Sequence, residues 1–155
     1  MAGSLEPTDH TCYGTHGFVR IEVKDGKNHI ELIPVAKREY KTLTLEVATN
    51  DTMGSISRRL GEKVTEVGED NIYDVIVSGK RHASLEIMVE KLKSTGNIRV
   101  IMDKTEKYYN YEQLLEEYEG RLLHRYITSF EGTENVLEKK ALDYGIEAIL
   151  EALKP

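Results

Sequence analysis

The sequence predicts an α+β fold: a mixed five-stranded sheet with two helices packed on it, followed by a C-terminal helical pair. Three observations carry this reading. Period-two alternation on both sides of a turn cluster marks an N-terminal hairpin; two amphipathic helical stripes are each followed by a further strand; and beyond Asn110 only helical spacing remains.

In the hairpin, Val19, Ile21 and Val23 alternate with Phe18, Arg20, Glu22 and Lys24. Asp25-Gly26-Lys27-Asn28 supplies turn residues before Ile30-Glu31-Leu32-Ile33. Pro34 has no N–H to give a ladder, so the hairpin should lie at an edge or end in a bend. A third strand over 40–48 puts Leu43, Leu45 and Val47 on one face and Thr42, Thr44 and Glu46 on the other. Ile56, Leu60, Val64 and Val67 then form one helical stripe that stops at Gly68. The run 72–77 reads as a buried strand closed by Ser78-Gly79. Leu85, Met88, Val89 and Leu92 mark a second helix, opening near Ser84 and stopping before Gly96, and Ile98, Val100 and Met102 alternate as a fifth strand. Strand order stays open; a ferredoxin-like arrangement is one option.

The helical part begins with Tyr111, Leu114, Leu115, Tyr118, Leu122 and Tyr126, and Asn110 with Gln113 resembles a capping box. Gly120 is a candidate interruption. After Glu131-Gly132-Thr133 a last helix spans 134–153 with two apolar faces. Leu137, Ala141, Tyr144 and Ala148 form one, while Leu142, Ile146, Ile149, Leu150 and Leu153 form the other. One face can cover the domain and the other needs a partner. Gly145 inside this helix costs about 1 kcal/mol relative to Ala, so a close backbone approach is expected there. The chain thus divides into a linker, 1–16, an α+β domain, 17–107, and a helical extension, 108–155. Gly3-Ser4-Leu5-Glu6-Pro7 and the loop to Gly14-Thr15-His16-Gly17 have no apolar period, as expected of a segment passing from one domain to the next.

The chain has 155 residues, 39% apolar and 31% charged, the balance of a soluble globular protein. No apolar run approaches the roughly 18 residues that suggest a membrane span. With no basic-then-apolar leader, and Cys12 unable to form an internal disulfide, a cytoplasmic location is expected. The net charge of -6 argues against a free-standing DNA binder, because phosphate contacts need clustered cations. Any such contact must be local, and Lys37-Arg38, Arg58-Arg59 and Lys80-Arg81-His82 are the candidates. The acidic excess lies later, as in Glu112, Glu116, Glu117 and Glu119.

No catalytic constellation is evident. His10, Cys12 and His16 could be drawn as three zinc donors, but a fourth ligand and a Cys-x-x-Cys partner are missing, and docking of this loop against a neighbouring domain is the expected role. His29 and His124 read as surface or satisfied residues. Ser78-Gly79-Lys80 lacks the upstream glycine of a phosphate loop, although Lys80-Arg81-His82 before a Ser84 helix could hold a phosphate through cations and free N–H groups. The bland alternative is a solvated turn. Glu62 with Glu66 and Glu116-Glu117 read as solvated pairs, and Gly-x-Ser-x-Gly, His-Glu-x-x-His and Gly-Asn-His-Asp motifs do not occur.

Four segments in order, Gly3-Ser4-Leu5-Glu6-Pro7, His16-Gly17-Phe18, the stretch from Pro34 to Tyr40, and Ala141 to Leu150, resemble the C-terminal part of SbcD-like and YhaO-like DNA-repair exonucleases. These are calcineurin-like metallophosphoesterases. The resemblance implies that the two-manganese nuclease site belongs to an N-terminal phosphoesterase domain preceding this region, and that this chain holds no cofactor or catalytic residue itself. It implies a capping domain beside the nuclease cleft that helps position DNA. Lys37, Arg38, Arg58, Arg59, Lys80 and Arg81 become the candidates for phosphate contact. The terminal helices, through Leu142, Gly145, Ile146, Ile149, Leu150 and Leu153, become the surface for the coiled coil of an SMC-like ATPase or for a second copy. The rival expectation is a regulatory or assembly module with no nucleic-acid role; a small hydrolase using His10, Cys12 and His16 is a distant third.

Overall fold

The computed structural model describes residues 4–154; Gly3 of the opening Gly-Ser lies outside them. The chain forms two compact units, 1–106 and 107–155. The α+β class and the five strands are as the alternation predicts, with the strands divided between two sheets.

In the first unit, β1 (Gly17–Lys24) and β2 (Lys27–Pro34) pair antiparallel from Gly17↔Pro34 to Lys24↔Lys27. Asp25 and Gly26 make the two-residue connection with φ of 51° and 72°, the left-handed pair whose twist suits a tight hairpin. Pro34 ends the ladder as expected. Just past it, the N–H groups of Val35 and Ala36 both donate to the carbonyl of His16, at 3.1 and 3.2 Å. This closes the hairpin base, and it requires Gly17: a Cβ there would lie 2.0 Å from the carbonyl oxygen of Ile33.

The second sheet is parallel. Its order is β3 (Tyr40–Val47), β4 (Ile72–His82), β5 (Ile98–Tyr108), each strand followed by its neighbour across a helix. Tyr40 is opposite Ile72 and Val47 opposite Gly79, and Tyr73 N–H donates to Asn97 O at the start of β5. Both ends of α1 (Met53–Val67) follow from the sequence. Thr52 and Ser55 bond each other's backbone N–H in a capping box, and Gly68 closes the far end. Its Ile56, Leu60 and Val64 bury against Leu43, Leu45, Val47, Tyr73, Val75 and Val77, with Leu92 of α2 (Val89–Lys93) completing the core.

The second helix departs from expectation. It is five residues long and starts at Val89, not near Ser84. Arg81 explains this by tying the intervening chain to the sheet: its guanidinium donates to Thr105 Oγ1 at 2.8 Å and to the carbonyl of Leu85, just past a turn closed by Leu85 N–H on His82 O at 2.9 Å. Leu85 and Ile87 then reach the core from irregular backbone. β4 and β5 run on to His82 and Tyr108, past the predicted ends at residues 77 and 102.

The second unit contains α3 (Tyr111–Glu117), α4 (Leu122–Thr128) and α5 (Val136–Ala152). Gly120, at φ 71°, separates α3 from α4, so the predicted interruption is a full break. Asn110 and Asn135 cap α3 and α5 by accepting from Gln113 N and Leu137 N. Tyr109, Leu123, Ile127, Leu142 and Ile146 are its buried apolar residues. Lys107 pairs with Glu147, and Tyr111 donates to Asp143 Oδ1 at 2.6 Å. Burial, then that carboxylate, pushes the Tyr111 hydroxyl well above its ordinary pKa.

Candidate nucleic-acid interface

The six candidate cations are divided by the topology between the two ends of the parallel sheet. Lys37 and Arg38 precede β3 and so lie at its amino end. Lys80 and Arg81 belong to the last residues of β4, and Arg58 and Arg59 sit on α1, whose N-terminus follows the carboxyl end of β3. They do not form one patch.

Most of them already have acceptors. Arg59 is engaged twice, with Asp51 Oδ2 at 2.5 Å and Glu46 O at 3.0 Å. Lys63, on the same helix, donates to Thr44 O at 2.7 Å. These two side chains satisfy alternate carbonyls on the outer edge of β3, which blocks that edge from pairing with another strand. Burial alone would disfavour the Asp51 charge, but the N–H of Ala48, the hydroxyl of Ser55 and the Arg59 guanidinium together hold its carboxyl below the usual range. Arg81 is fixed by Thr105 and Leu85, Arg58 pairs with Glu62 at 2.6 Å, and Arg38 stands 3.9 Å from Glu6. Of the six candidates, only the ammonium groups of Lys37 and Lys80 are left without an acceptor among the described residues.

Lys80 lines a crevice of about 610 Å³ at the carboxyl end of the sheet, together with Glu46, Val47, Ala48, Thr49, Gly79, Lys104 and Glu106. Ligands commonly bind beyond the carboxyl ends of parallel strands. Lys104 is not a residue that sequence reasoning singles out; only the true length of β5 brings it beside Lys80. Two lysines here face two glutamates, so the crevice has no net positive charge. His82 follows Lys80 by two residues, with Nδ1 2.7 Å from Ser84 Oγ, and no helix opens at Ser84 to offer free N–H groups to a phosphate; a turn stands there, the bland alternative.

The loop ahead of the hairpin is organised by His16. One ring nitrogen meets Ser4 O and Oγ and the other meets Cys12 O, so neither points at a shared centre with His10 and Cys12. Among the described residues no three metal-ligating side chains come together. Hydrogen bonds from Thr8 hold the Cys12 thiol below its ordinary pKa, and Thr11 does the same for the Asp9 carboxyl.

Two apolar surfaces stand open. On one hairpin face Val19, Ile21, Val23, Ile30 and Leu32 line up in register, exposed from 49% at Val19 to 70% at Ile30. In the helical unit, Leu142 and Ile146, expected on the partner surface, are buried, and Gly145 lies beneath the Tyr126 ring. Ile149 and Leu150 are half-buried and Leu153 is exposed. The face that closes this unit is thus the one expected to take a partner, and the face turned outward carries Leu137, Ala141, Tyr144 and Ala148. Beside it, Tyr118, Leu122, Leu123, Ile149 and Leu153 help line an apolar cleft of about 270 Å³. Among the described residues no helix is long and apolar enough to cross a membrane.

Comparison with family models, with curated proteins and with solved structures finds no match.

Proposed function

We propose that this chain is the non-catalytic DNA-capping and partner-docking region of a manganese-dependent exonuclease that acts in DNA double-strand-break repair. The observation that carries the reading is the hairpin. A two-stranded ribbon is marginal by itself in water, and five aligned aliphatic side chains, each roughly half exposed or more, are on the scale of a surface that another domain covers. The motif residues His16 and Gly17 fix the base of that same hairpin, so the segments that carry the resemblance and the face that needs a cover belong to one device. The nuclease chemistry is assigned to the neighbouring phosphoesterase domain, and the role of this chain is to guide DNA with exposed cations, of which Lys80 and Lys104 are the nearest pair supported by geometry.

The test is made in two preparations. This chain alone, with manganese, should cleave neither duplex nor single-stranded DNA. In the longer polypeptide that the reading requires, Lys80→Ala with Lys104→Ala should weaken DNA binding and reduce the salt slope by about 0.9 for each phosphate that is no longer neutralised. Metal-dependent cleavage by the clean isolated chain, or an unchanged affinity and salt slope in the double variant, would reject the assignment.

A further inference from the structure

Whatever the role of the crevice and the hairpin, we infer that two copies of this chain pair through the outer face of α5, with the two helices antiparallel. Leu137, Ala141, Tyr144 and Ala148 recur at spacings of four, three and four, the seam of a short two-stranded coiled coil. Leu137 is 76% and Tyr144 72% exposed, and both alanines are exposed with them. The opposite face of α5 is occupied by Leu142 and Ile146 inside the helical unit, so the stripe's two large side chains, Leu137 and Tyr144, are surplus to folding, while Ala148 also lines the cleft beside α4.

The occupant follows from the pattern of size and charge. In an antiparallel pair, Leu137 of one helix meets Ala148 of the other, and Ala141 meets Tyr144. Every layer then sets a large side chain against a small one, so the seam is its own complement; a parallel pair in register would instead stack Leu137 on Leu137 and leave Ala141 against Ala141. Charge selects the same orientation. Lys140 flanks the stripe near the start of the helix, whereas Glu147 and Glu151 flank the same side near its end. Reversing one helix brings Lys140 opposite Glu147, whose Oε1 meets Lys107 in its own chain, and toward Glu151, which is exposed. Parallel helices would set Lys140 opposite Gly145 and Glu147 opposite Ala152, which leaves both charges without an interhelical partner. The contact spans 12 residues, from Leu137 to Ala148, and buries on the order of 800 Å² in total, so pairing should be weak, with Kd on the order of 100 µM.

Sedimentation velocity of the whole chain over a concentration series spanning that value should show a reversible monomer–dimer equilibrium. Tyr144→Glu, on an exposed position, should weaken it by about tenfold or more, and Lys140→Glu by a few-fold, with the far-UV circular dichroism unchanged. Orientation is read separately by disulfide capture in a Cys12→Ser background. A Leu137→Cys chain mixed with an Ala148→Cys chain should give a linked pair on mild oxidation, and neither should link to itself. A chain that stays monomeric throughout, a dimer indifferent to Tyr144→Glu, or ready self-linkage of Leu137→Cys would each overturn the inference. None of these readouts involves DNA, so they stand or fall apart from the capping role.

Discussion

Replacing Gly145 by alanine sets helix propensity against a single aromatic contact, and the structure says which wins. A Cβ at Gly145 would lie 2.0 Å from Tyr126 Oη and 2.2 Å from its Cζ. The ring must therefore swing away. In doing so it gives up its hydrogen bond to Ala141 O, now 3.0 Å, and its tilted packing on Phe130 at a centroid distance of 5.2 Å. The hydrogen bond is worth about 1 kcal/mol and the ring pair about 0.5–1.5 kcal/mol. Against this, alanine improves an interior helix position by about 1 kcal/mol. With the steric displacement added, Gly145→Ala should destabilise the helical unit by about 1–2 kcal/mol, and in a Tyr126→Ala background the same substitution should stabilise it by up to about 1 kcal/mol. Urea unfolding followed by far-UV circular dichroism measures both legs of this cycle. If Gly145→Ala stabilises the otherwise unchanged chain by the full propensity term, the Tyr126 ring does not rest on the α5 backbone and this account of the glycine fails.

Two further outcomes follow from titrating groups. Asp51 is held below the ordinary carboxylate range in the folded chain, so the unfolded chain binds its proton more tightly; its contribution is complete above about pH 4 and is lost as pH falls through the lower folded value. Asp51→Asn should cost about 1–3 kcal/mol at neutral pH, with the gap to the parent narrowing in acid, and a gap independent of pH would refute the ion pair with Arg59 as its source. Tyr111 behaves in the opposite sense. Its folded pKa is raised, so its stabilising effect is complete below about pH 10 and is lost as pH climbs toward the folded value. Tyr111→Phe should cost about 1 kcal/mol at neutral pH, and ultraviolet titration should show the same number of tyrosines ionising before alkaline unfolding in the parent and in Tyr111→Phe.

Much of the fold was legible because its strongest signals are local. The α1 stripe, its stop at Gly68, the Asp25-Gly26 turn and the break at Gly120 each depend on a few adjacent residues, and each appears where the pattern puts it. The reach of β4 and β5 was not legible. Beyond residue 77, β4 continues through Ser78-Gly79-Lys80, residues with no strand preference of their own, because β3 and β5 lie on either side to accept its ladder. The second helix was misplaced for a related reason. Leu85 and Val89 fit a helical stripe on paper, but one arginine, reaching from Arg81 to Thr105 and Leu85, ties that stretch to the sheet. A side chain that bonds 24 residues away leaves no trace in a helical period.

The interface was harder to read than the fold, since a sequence counts cations without counting their acceptors. Arg58-Arg59 and Lys80-Arg81 look equivalent as dipeptides, yet in each an arginine is consumed by structure: Arg59 seals the β3 edge and Arg81 pins the β4–α2 connection. Guanidinium is the group suited to both tasks, because its planar fork can meet two acceptors at once. Of these four cations only the ammonium of Lys80 has no acceptor among the described residues and is left to solvent and to any ligand. Lys80 shares its crevice with Lys104 but also with Glu46 and Glu106, so attraction to a polyanion there is a matter of which side chains turn outward, not of net field. The same distinction between used and surplus groups sorts the apolar residues. In α5 the face with Leu142 and Ile146 is spent on closing its own unit, which leaves Leu137 and Tyr144 as hydrophobic surface still open to a neighbour. Substituting Tyr144 should therefore change association and leave folding alone, whereas substituting Ile146, fully buried, should do the reverse.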